Sequence, residues 1–125
     1  MSDESDSIQG LRGLRVFVAE DEGLVLMLLQ ELLEDLGCRV VATATNLSGA
    51  LSLSGAGDFD IAVLDVQLGT EAIDPVVDAV LARGVPLVLA TGYDSAVVAE
   101  RFPRAKILRK PYSLKTLREV LLASV

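Results

Sequence analysis

Acidic residues stand where two apolar runs of this sequence end. Glu20 and Asp21 follow the run 15–19, and Asp65 closes the run 60–64. A β-strand that is buried on both faces has no place for a charge, so we expect these carboxylates at strand ends, where backbone meets solvent and ligand. Three carboxylates that converge repel one another, and either protonation or a hard divalent cation relieves the repulsion. Because oxygen ligands select Mg²⁺, Ca²⁺ or Mn²⁺ over zinc, the three residues predict a Mg²⁺ site.

Two further runs end on groups that suit a phosphoryl ligand. Thr91 follows the run 86–90, and Lys110 stands just beyond the run 106–108. The ammonium of Lys110 can reach an oxygen of Asp65, and Thr91 adds a hydroxyl. A carboxylate, a metal ion, an ammonium and a hydroxyl around one small hole can bind a phosphoryl group and neutralise its charge during transfer. Asp65 is therefore the predicted acceptor, a carboxylate nucleophile that forms an aspartyl phosphate.

Each of these features has an ordinary structural explanation when it is taken alone. A single Asp at a strand end is usually a helix cap or a turn residue, and an acidic pair before a helix usually compensates the helix dipole. The coincidence of such features at four strand ends favours a functional site. Two other classes stay open. One is a haloacid-dehalogenase-like phosphatase, which normally has a second Asp two residues after its nucleophile, where this chain has Gln67. The other is a non-phosphorylated binding module of the same fold.

The elements that must hold these residues alternate along the chain. Five apolar strands are each followed by a helical segment, which is typical of βαβ units with right-handed crossovers and helices on both faces of a parallel sheet. We therefore predict a doubly wound α/β domain over residues 14–125, after a flexible acidic segment over residues 1–13. The predicted strands cover 15–19, 39–44, 61–64, 87–90 and 106–108; the predicted helices begin at the caps Asp21, Asp74 and Ser113 or cover 47–53 and 95–101.

The first predicted helix has the clearest amphipathic pattern, and Gly37 is its predicted end. Leu24 and Met27 fall outside the apolar stripe, and Cys38, the single cysteine, follows as a buried structural thiol. The predicted stripe consists of Val25, Leu28, Leu29, Leu32, Leu33 and Leu36.

Composition limits the partners of the chain. Its 125 residues allow one domain with a core built mainly from Leu, Val and Ala, and its net charge of −7 argues against nucleic acid or an anionic membrane as a partner. The first seven residues are polar and acidic, unlike a secretory signal, and no apolar run approaches the ~20 residues of a membrane helix. We expect a cytoplasmic protein. The chain has no histidine, so any imidazole that the chemistry needs must come from another molecule.

Taken together, Glu20-Asp21, Asp65, Thr91 and Lys110-Pro111 make residues 14–123 resemble the receiver domains of bacterial two-component response regulators. The resemblance implies a flavodoxin-like three-layer sandwich of (βα)5 units with the sheet order 2-1-3-4-5. It also implies a phosphoacceptor that supports its own phosphorylation and dephosphorylation but is not otherwise an enzyme. Such a protein works in a phosphorelay and signals by protein contact or phosphate relay.

The resemblance also assigns roles to single residues. The acidic pair and Asp65 would hold Mg²⁺ with the backbone carbonyl of Gln67, while Thr91 and Lys110 would bind the phosphoryl oxygens. The phosphoryl group would come from a phosphohistidine on a histidine kinase or a histidine phosphotransfer protein, which fits a chain without histidine. The downstream partner and the oligomeric state, including a homodimer, stay open.

The chain departs from the usual receiver pattern at two places. The strand-five position that is usually aromatic is Ile107, and 68–71 replaces the usual proline after the acceptor. The stretch 86–93 instead resembles the Pro-Phe-x-Phe-Ala-Thr-Gly-Tyr motif of the mostly stand-alone FAT GUY subgroup, with both Phe replaced by Leu. Tyr93 is then the predicted relay of the switch, with an ordinary loop aromatic as the alternative. Leu24 and Met27, off the apolar stripe, offer a docking site for a helical phosphotransfer partner, with ordinary scattered surface apolar side chains as the alternative.

Overall fold

The computed structural model describes residues 10–92 and 94–125, which form a five-stranded parallel sheet in the order β2-β1-β3-β4-β5 with helices on both faces. The predicted doubly wound sheet and its order are therefore confirmed. The strands are β1 (Arg15–Ala19), β2 (Arg39–Ala44), β3 (Ile61–Asp65), β4 (Leu87–Thr91) and β5 (Lys106–Arg109). The helices are α1 (Gly23–Asp35), α2 (Leu47–Ala56), α3 (Asp74–Ala82), α4 (Ser95–Arg101) and α5 (Leu114–Ser124).

Two apolar cores lie on opposite faces of the sheet. Successive side chains of a strand point to opposite faces, so Val16 and Val18 of β1 pack with α1 and α5, whereas Phe17 and Ala19 pack with α2, α3 and α4. Every residue of β3 and β4 is buried. Because both faces of the central strands are covered, their charged and polar groups are confined to the strand ends.

Helix α1 ends where the sequence predicts, but its buried stripe is turned by a few tens of degrees. The amide of Gly37 donates to the carbonyl of Glu34 and that of Cys38 to Leu33, and Gly37 has a φ of 91°. These bonds form a Schellman motif, which needs the left-handed conformation that glycine adopts at little cost. The predicted burial of Leu28 is wrong, since its side chain is 59% exposed and Leu26 is buried in its place.

Two predicted helix caps are wrong. Glu22, not Asp21, occupies the N-cap position of α1, and it makes no capping hydrogen bond with its side chain. Asp74 lies inside the first turn of α3, after an N-cap at Ile73. In contrast, Ser113 caps α5 as predicted, and its side chain accepts from the Thr116 amide. The carboxylate of Asp21 does not cap α1; it lies at the sheet edge, near the carboxylates of Glu20 and Asp65.

Several elements extend beyond their predicted bounds. The ladders pair Asp65 with Ala90 and Thr91 with Arg109, so β3, β4 and β5 are each one residue longer than predicted. Helix α2 continues to Ala56, three residues past its predicted end. Strand pairing and helix packing extend these elements, and both depend on contacts between segments that are distant in sequence.

The described part of the predicted flexible segment packs against the domain. Leu11 is fully buried, and the amide of Gly13 donates to the carbonyl of Gly37 at 2.8 Å. Leu11 thus belongs to the apolar core, although it precedes the predicted start of the domain at Leu14. The rest of the predicted segment, residues 1–9, lies outside the described residues. Cys38 is buried, as predicted.

Arg83 stabilises the junction between α2 and α3. Its guanidinium donates to the carbonyls of Ser54 and Gly57, near the end of α2, and lies 4.9 Å from the centroid of the Phe59 ring. A cation at this position also complements the negative end of the helix dipole.

We expect Arg83→Ala to lower the free energy of unfolding by about 1–2 kcal/mol, because it removes hydrogen bonds to helix-terminal carbonyls and a cation–π contact. Urea unfolding measures the change. The matched control is Arg104→Ala, whose side chain is exposed and forms no ion pair with the described residues. Equal stability of the two variants would contradict this role.

Candidate functional site

Asp65 is held at the carboxyl edge of the sheet by bonds to both of its oxygens. The Gln67 amide donates to Oδ1 at 2.8 Å, and the Lys110 ammonium donates to Oδ2 at 2.7 Å. The carboxylate is largely buried, yet it lines an open cavity of about 300 Å³. A reactant that enters this cavity therefore meets a carboxylate whose position is already set.

The predicted acidic trio comes together. Carboxylate oxygens of Glu20, Asp21 and Asp65 all lie within 4.8 Å of one another, with Glu20 and Asp65 buried and Asp21 exposed. The ladder explains the proximity, because β1 and β3 are adjacent and Ala19 pairs with Leu64. Glu20 and Asp21 are the two residues after Ala19, and Asp65 is the residue after Leu64, so all three reach the same edge.

Lys110 is the cation of the cluster. Its Nζ lies 3.0 Å from Oε1 of Glu20 and 2.7 Å from Oδ2 of Asp65. Burial disfavours the ammonium, but hydrogen bonds to Asp65 and Glu20 outweigh that effect and raise the pKa of Lys110 above its usual value. Lys110 is therefore charged at neutral pH and can pair with an anion in the cavity.

Glu20 has an unusual titration. Burial raises the pKa of Glu20 to about 7, although the amide of Glu22 and the ammonium of Lys110 both donate to its carboxylate and act in the opposite direction. The nearby Asp65 adds to the rise. Burial thus outweighs the two hydrogen bonds that favour the charged form of this carboxylate.

Thr91 completes the set of predicted site residues. Its side chain is 1% exposed and lines the same cavity as Asp65 and Lys110. The Thr91 carbonyl accepts from the Lys110 amide at 2.8 Å, so the ends of β4 and β5 are tied together beside the site. Gln67 also lines the cavity.

Of the two predicted switch positions, the structure describes only Ile107. Tyr93 lies outside the described residues, so its role stays a prediction. Ile107 is partly buried and packs against the core on the α2, α3 and α4 side of the sheet. An aliphatic residue is therefore packed where most receivers have an aromatic ring.

Sequence reasoning missed two participants. In the segment that replaces the usual proline, Gly69 has a φ of 71° in a turn closed by a bridge between Leu68 and Glu71, and its amide donates to Asp21 at 3.2 Å. The glycine is a turn signal, but its partner is apparent only in three dimensions. The second is Tyr112, which does not line the cavity at Asp65 but lines the groove beside it together with Lys110.

The donor set fits a hard divalent cation. The site offers carboxylate oxygens and no His or Cys ligand, and oxygen donors are those that Mg²⁺ prefers. Three carboxylates and one ammonium leave an excess of negative charge, which a divalent ion would neutralise. Glu20, Asp21 and Asp65 are the side chains that could hold it.

Comparison with known proteins identifies the family. A model of the response regulator receiver domain matches residues 16–122. The transcriptional regulatory protein PdtaR of Mycobacterium tuberculosis, in strains CDC 1551 / Oshkosh and ATCC 25618 / H37Rv, is 31% identical over 107 residues, which cover 82% of this chain and 52% of PdtaR. The chain therefore spans about half the length of the curated relatives it matches.

Solved structures are similar over nearly the whole chain. SdrG from Sphingomonas melonis Fr1 is 36% identical with a TM-score of 0.76, and the match covers 91% of this chain and 96% of SdrG. The response regulator PhyR from Brucella abortus has a TM-score of 0.82 at 23% identity, over 96% of this chain and 51% of PhyR. At that identity the PhyR match supports the fold alone.

The raised pKa of Glu20 gives a pH-dependent prediction for the metal-free protein. A carboxyl group with a higher pKa in the folded chain holds its proton more tightly there, so the free energy of unfolding falls as pH rises from about 4.5 to about 7. We expect Glu20→Gln to raise the free energy of unfolding at pH 8 by about 1–2 kcal/mol, with little gain at pH 5.

Urea unfolding in EDTA at the two pH values measures this effect. Glu34→Gln, at an exposed position of α1, is the matched control and should change neither value. With Mg²⁺ added, the unmodified chain should gain stability and the Glu20→Gln variant should gain much less. A variant that is destabilised equally at both pH values would contradict the pH assignment.

Proposed function

The chain belongs to the response regulator receiver domain family, and on that premise we propose that it accepts a phosphoryl group on Asp65 with Mg²⁺ in a two-component phosphorelay. The observation that carries the proposal is the contact of Lys110 with Asp65 at 2.7 Å, beside two further carboxylates. This arrangement holds one carboxylate in place and supplies both a cation and a hard-metal site around it.

The donor in this proposal is a phosphohistidine of another protein, as the receiver family implies, and the sequence supplies no histidine of its own. An oxygen of Asp65 attacks phosphorus, a P–O bond forms, and the P–N bond to the imidazole breaks. The bonding electrons leave with the imidazole nitrogen, which then takes a proton. The product is an acyl phosphate on Asp65.

The chain's own residues have distinct tasks in the transfer. Lys110 donates to the Asp65 carboxylate before transfer and binds a phosphoryl oxygen afterwards, as a positive charge that is already in place. The Thr91 hydroxyl binds another phosphoryl oxygen. Glu20, Asp21 and Asp65, with the carbonyl of Gln67, would hold Mg²⁺. When bound, the ion supplies further neutralisation of the phosphoryl charge.

The product has a limited lifetime in this proposal. The cavity at Asp65 is open and can admit water as well as a donor, which would allow the chain to support its own dephosphorylation. In this proposal the chain processes no separate substrate. Its output is contact with a downstream protein or relay of the phosphoryl group. None of the helices in the described residues is long and apolar enough to cross a membrane.

We expect a small phosphodonor such as acetyl phosphate to label the chain in the presence of Mg²⁺, and both Asp65→Asn and EDTA to abolish labelling. The label should be released by hydroxylamine, as an acyl phosphate is. Phosphate incorporation after gel separation measures it, and Asp78→Asn, on the exposed side of α3, is the matched control.

Two outcomes of this experiment would support the other classes. Labelling that survives Asp65→Asn, or no labelling at all in a folded protein, would favour a binding module that keeps the receiver fold without phosphorylation. Multiple turnover of a phosphate ester would favour a phosphatase.

A docking surface for the phosphohistidine protein lies beside the cavity. A groove of about 520 Å³ between α1 and the segment after β5 is lined by apolar side chains, including Leu28 and Tyr112, and by Glu22 and Lys110. Glu22 and Lys110 also line the cavity at Asp65. A helix seated in the groove would therefore hold its histidine near the acceptor.

Leu28 is the exposed apolar side chain of this groove. It lines the groove and is 59% exposed, whereas Leu24 and Met27, 76% and 55% exposed, do not line it. An amphipathic helix of a kinase or phosphotransfer protein can cover such a groove with its apolar face. The predicted exposure of Leu24 and Met27 is confirmed, and their docking role stays a prediction.

We expect Leu28→Glu to slow phosphoryl transfer from a phosphorylated histidine phosphotransfer protein about tenfold, a loss of about 1.4 kcal/mol in partner binding. Labelling by acetyl phosphate should not change, because Leu28 lines the groove but not the cavity at Asp65. Leu51→Glu on α2, also at an exposed apolar position, is the matched control. Unchanged transfer in the Leu28→Glu variant would contradict this docking surface.

A further inference from the structure

The charges of this acidic chain are separated along its sequence. The segment 101–118 contains no acidic residue, although the chain as a whole has a net charge of −7. The opposite composition begins the chain, where Asp3, Glu4 and Asp6 precede the first basic residue, Arg12. The basic residues of the segment 101–118 are Arg101, Arg104, Lys106, Arg109, Lys110, Lys115 and Arg118.

Two of these basic residues form a stripe on α5. Lys115 and Arg118 are three residues apart, and Leu122 lies four residues beyond Arg118, so all three lie on one side of the helix. Lys115 is exposed and Arg118 is partly exposed. Among the described residues, neither forms an ion pair. Glu119, also exposed, lies four residues after Lys115, so this face carries two cations and one carboxylate and keeps a net positive charge toward an anionic ligand.

The chain enters the described domain next to the same stripe. A Cβ built on Gly10 would lie 3.2 Å from a methyl carbon of Leu122, so the backbone of residue 10 crosses the helix at that point. The neighbouring Leu11 is buried in the core that α5 shares with α1. Residue 10 is thus anchored at the end of the stripe, and residues 1–9, which the structure does not describe, precede it in the sequence.

The reach of residues 1–9 matches the stripe. Leu122 and Lys115 are about 10 Å apart along the helix axis. Asp6 is four residues from Gly10 and can lie up to about 13 Å away, and Asp3 can lie up to about 23 Å away. A tether this short gives a local concentration in the millimolar range, which suits a contact made of a few solvent-exposed charge pairs.

From this placement we propose that the acidic segment at residues 3–6 binds the Lys115 and Arg118 face of α5 in the same chain. The segment neutralises the cationic stripe, and any acidic segment of a partner that uses this face must first displace it. The contact depends on charge, so it weakens as salt shortens the screening length.

A spin label at Ser2 tests the proposal on the full chain. Ser2→Cys provides the labelling site, and Cys38 should react slowly because it is buried and burial raises its pKa to about 11. Paramagnetic broadening of amide signals then reports proximity to the label. We expect the amides of residues 114–118 to lose about half of their intensity at low salt and to recover it in 0.5 M NaCl.

Matched variants separate binding from mere tethering. Asp3→Asn, Glu4→Gln and Asp6→Asn together keep the tether and remove its charge, and they should restore the amides of 114–118 while leaving some broadening near Leu122. Lys115→Gln with Arg118→Gln should have the same effect, and Arg104→Gln with Lys106→Gln should have none. The proposal fails if broadening at 114–118 is absent or survives neutralisation, or if it appears at 104–109 instead.

Discussion

The ammonium of Lys110 joins the carboxylates of Glu20 and Asp65, and this contact depends on most of the fold. Lys110 follows β5, Asp65 ends β3, and β4 lies between the two strands. Adjacent strands are about 4.8 Å apart, so a group that leaves β5 must span two strand spacings to meet β3. A lysine has a side chain long enough to do so, and Thr91 fills the shorter position at the end of the intervening strand. Burial of Glu20 opposes this contact, because it disfavours the charged form of the carboxylate that pairs with the ammonium.

Burial of the sheet explains why the site lies at its edge. The central strands are covered on both faces by apolar cores, and an unpaired charge inside either core would cost several kcal/mol. Parallel strands bring their carboxyl ends to the same edge, so polar residues excluded from separate strands meet there. The side chains of the site therefore come from residues at strand ends. Loops, such as the turn at Gly69, form the rim of the cavity.

The site cavity and the α1 groove share two residues, Glu22 and Lys110. The groove is apolar and the cavity is charged, so the proposed docking face and the proposed acceptor adjoin each other without any intervening element. Receiver family membership is compatible with the proposed delivery of the donor group by a second protein. The chain spans about half the length of the curated relatives it matches.

The sequence by itself determined which residues meet at the candidate site and where the strands lie, because burial on both faces forces an apolar run and places the charged residue at its end. The acidic trio, Thr91, Lys110 and the order of elements all follow from that rule, joined with the family resemblance. Only the tertiary structure decided the roles of Asp21 and Asp74, which are ordinary caps by local chemistry but have other positions or partners once the elements pack. The burial of Leu26 in place of Leu28, the length of α2 and the packing of Leu11 were likewise set by contacts between elements distant in sequence. Local patterns carry the period of a helix, but the phase of its buried face and the end of its last turn depend on what it packs against.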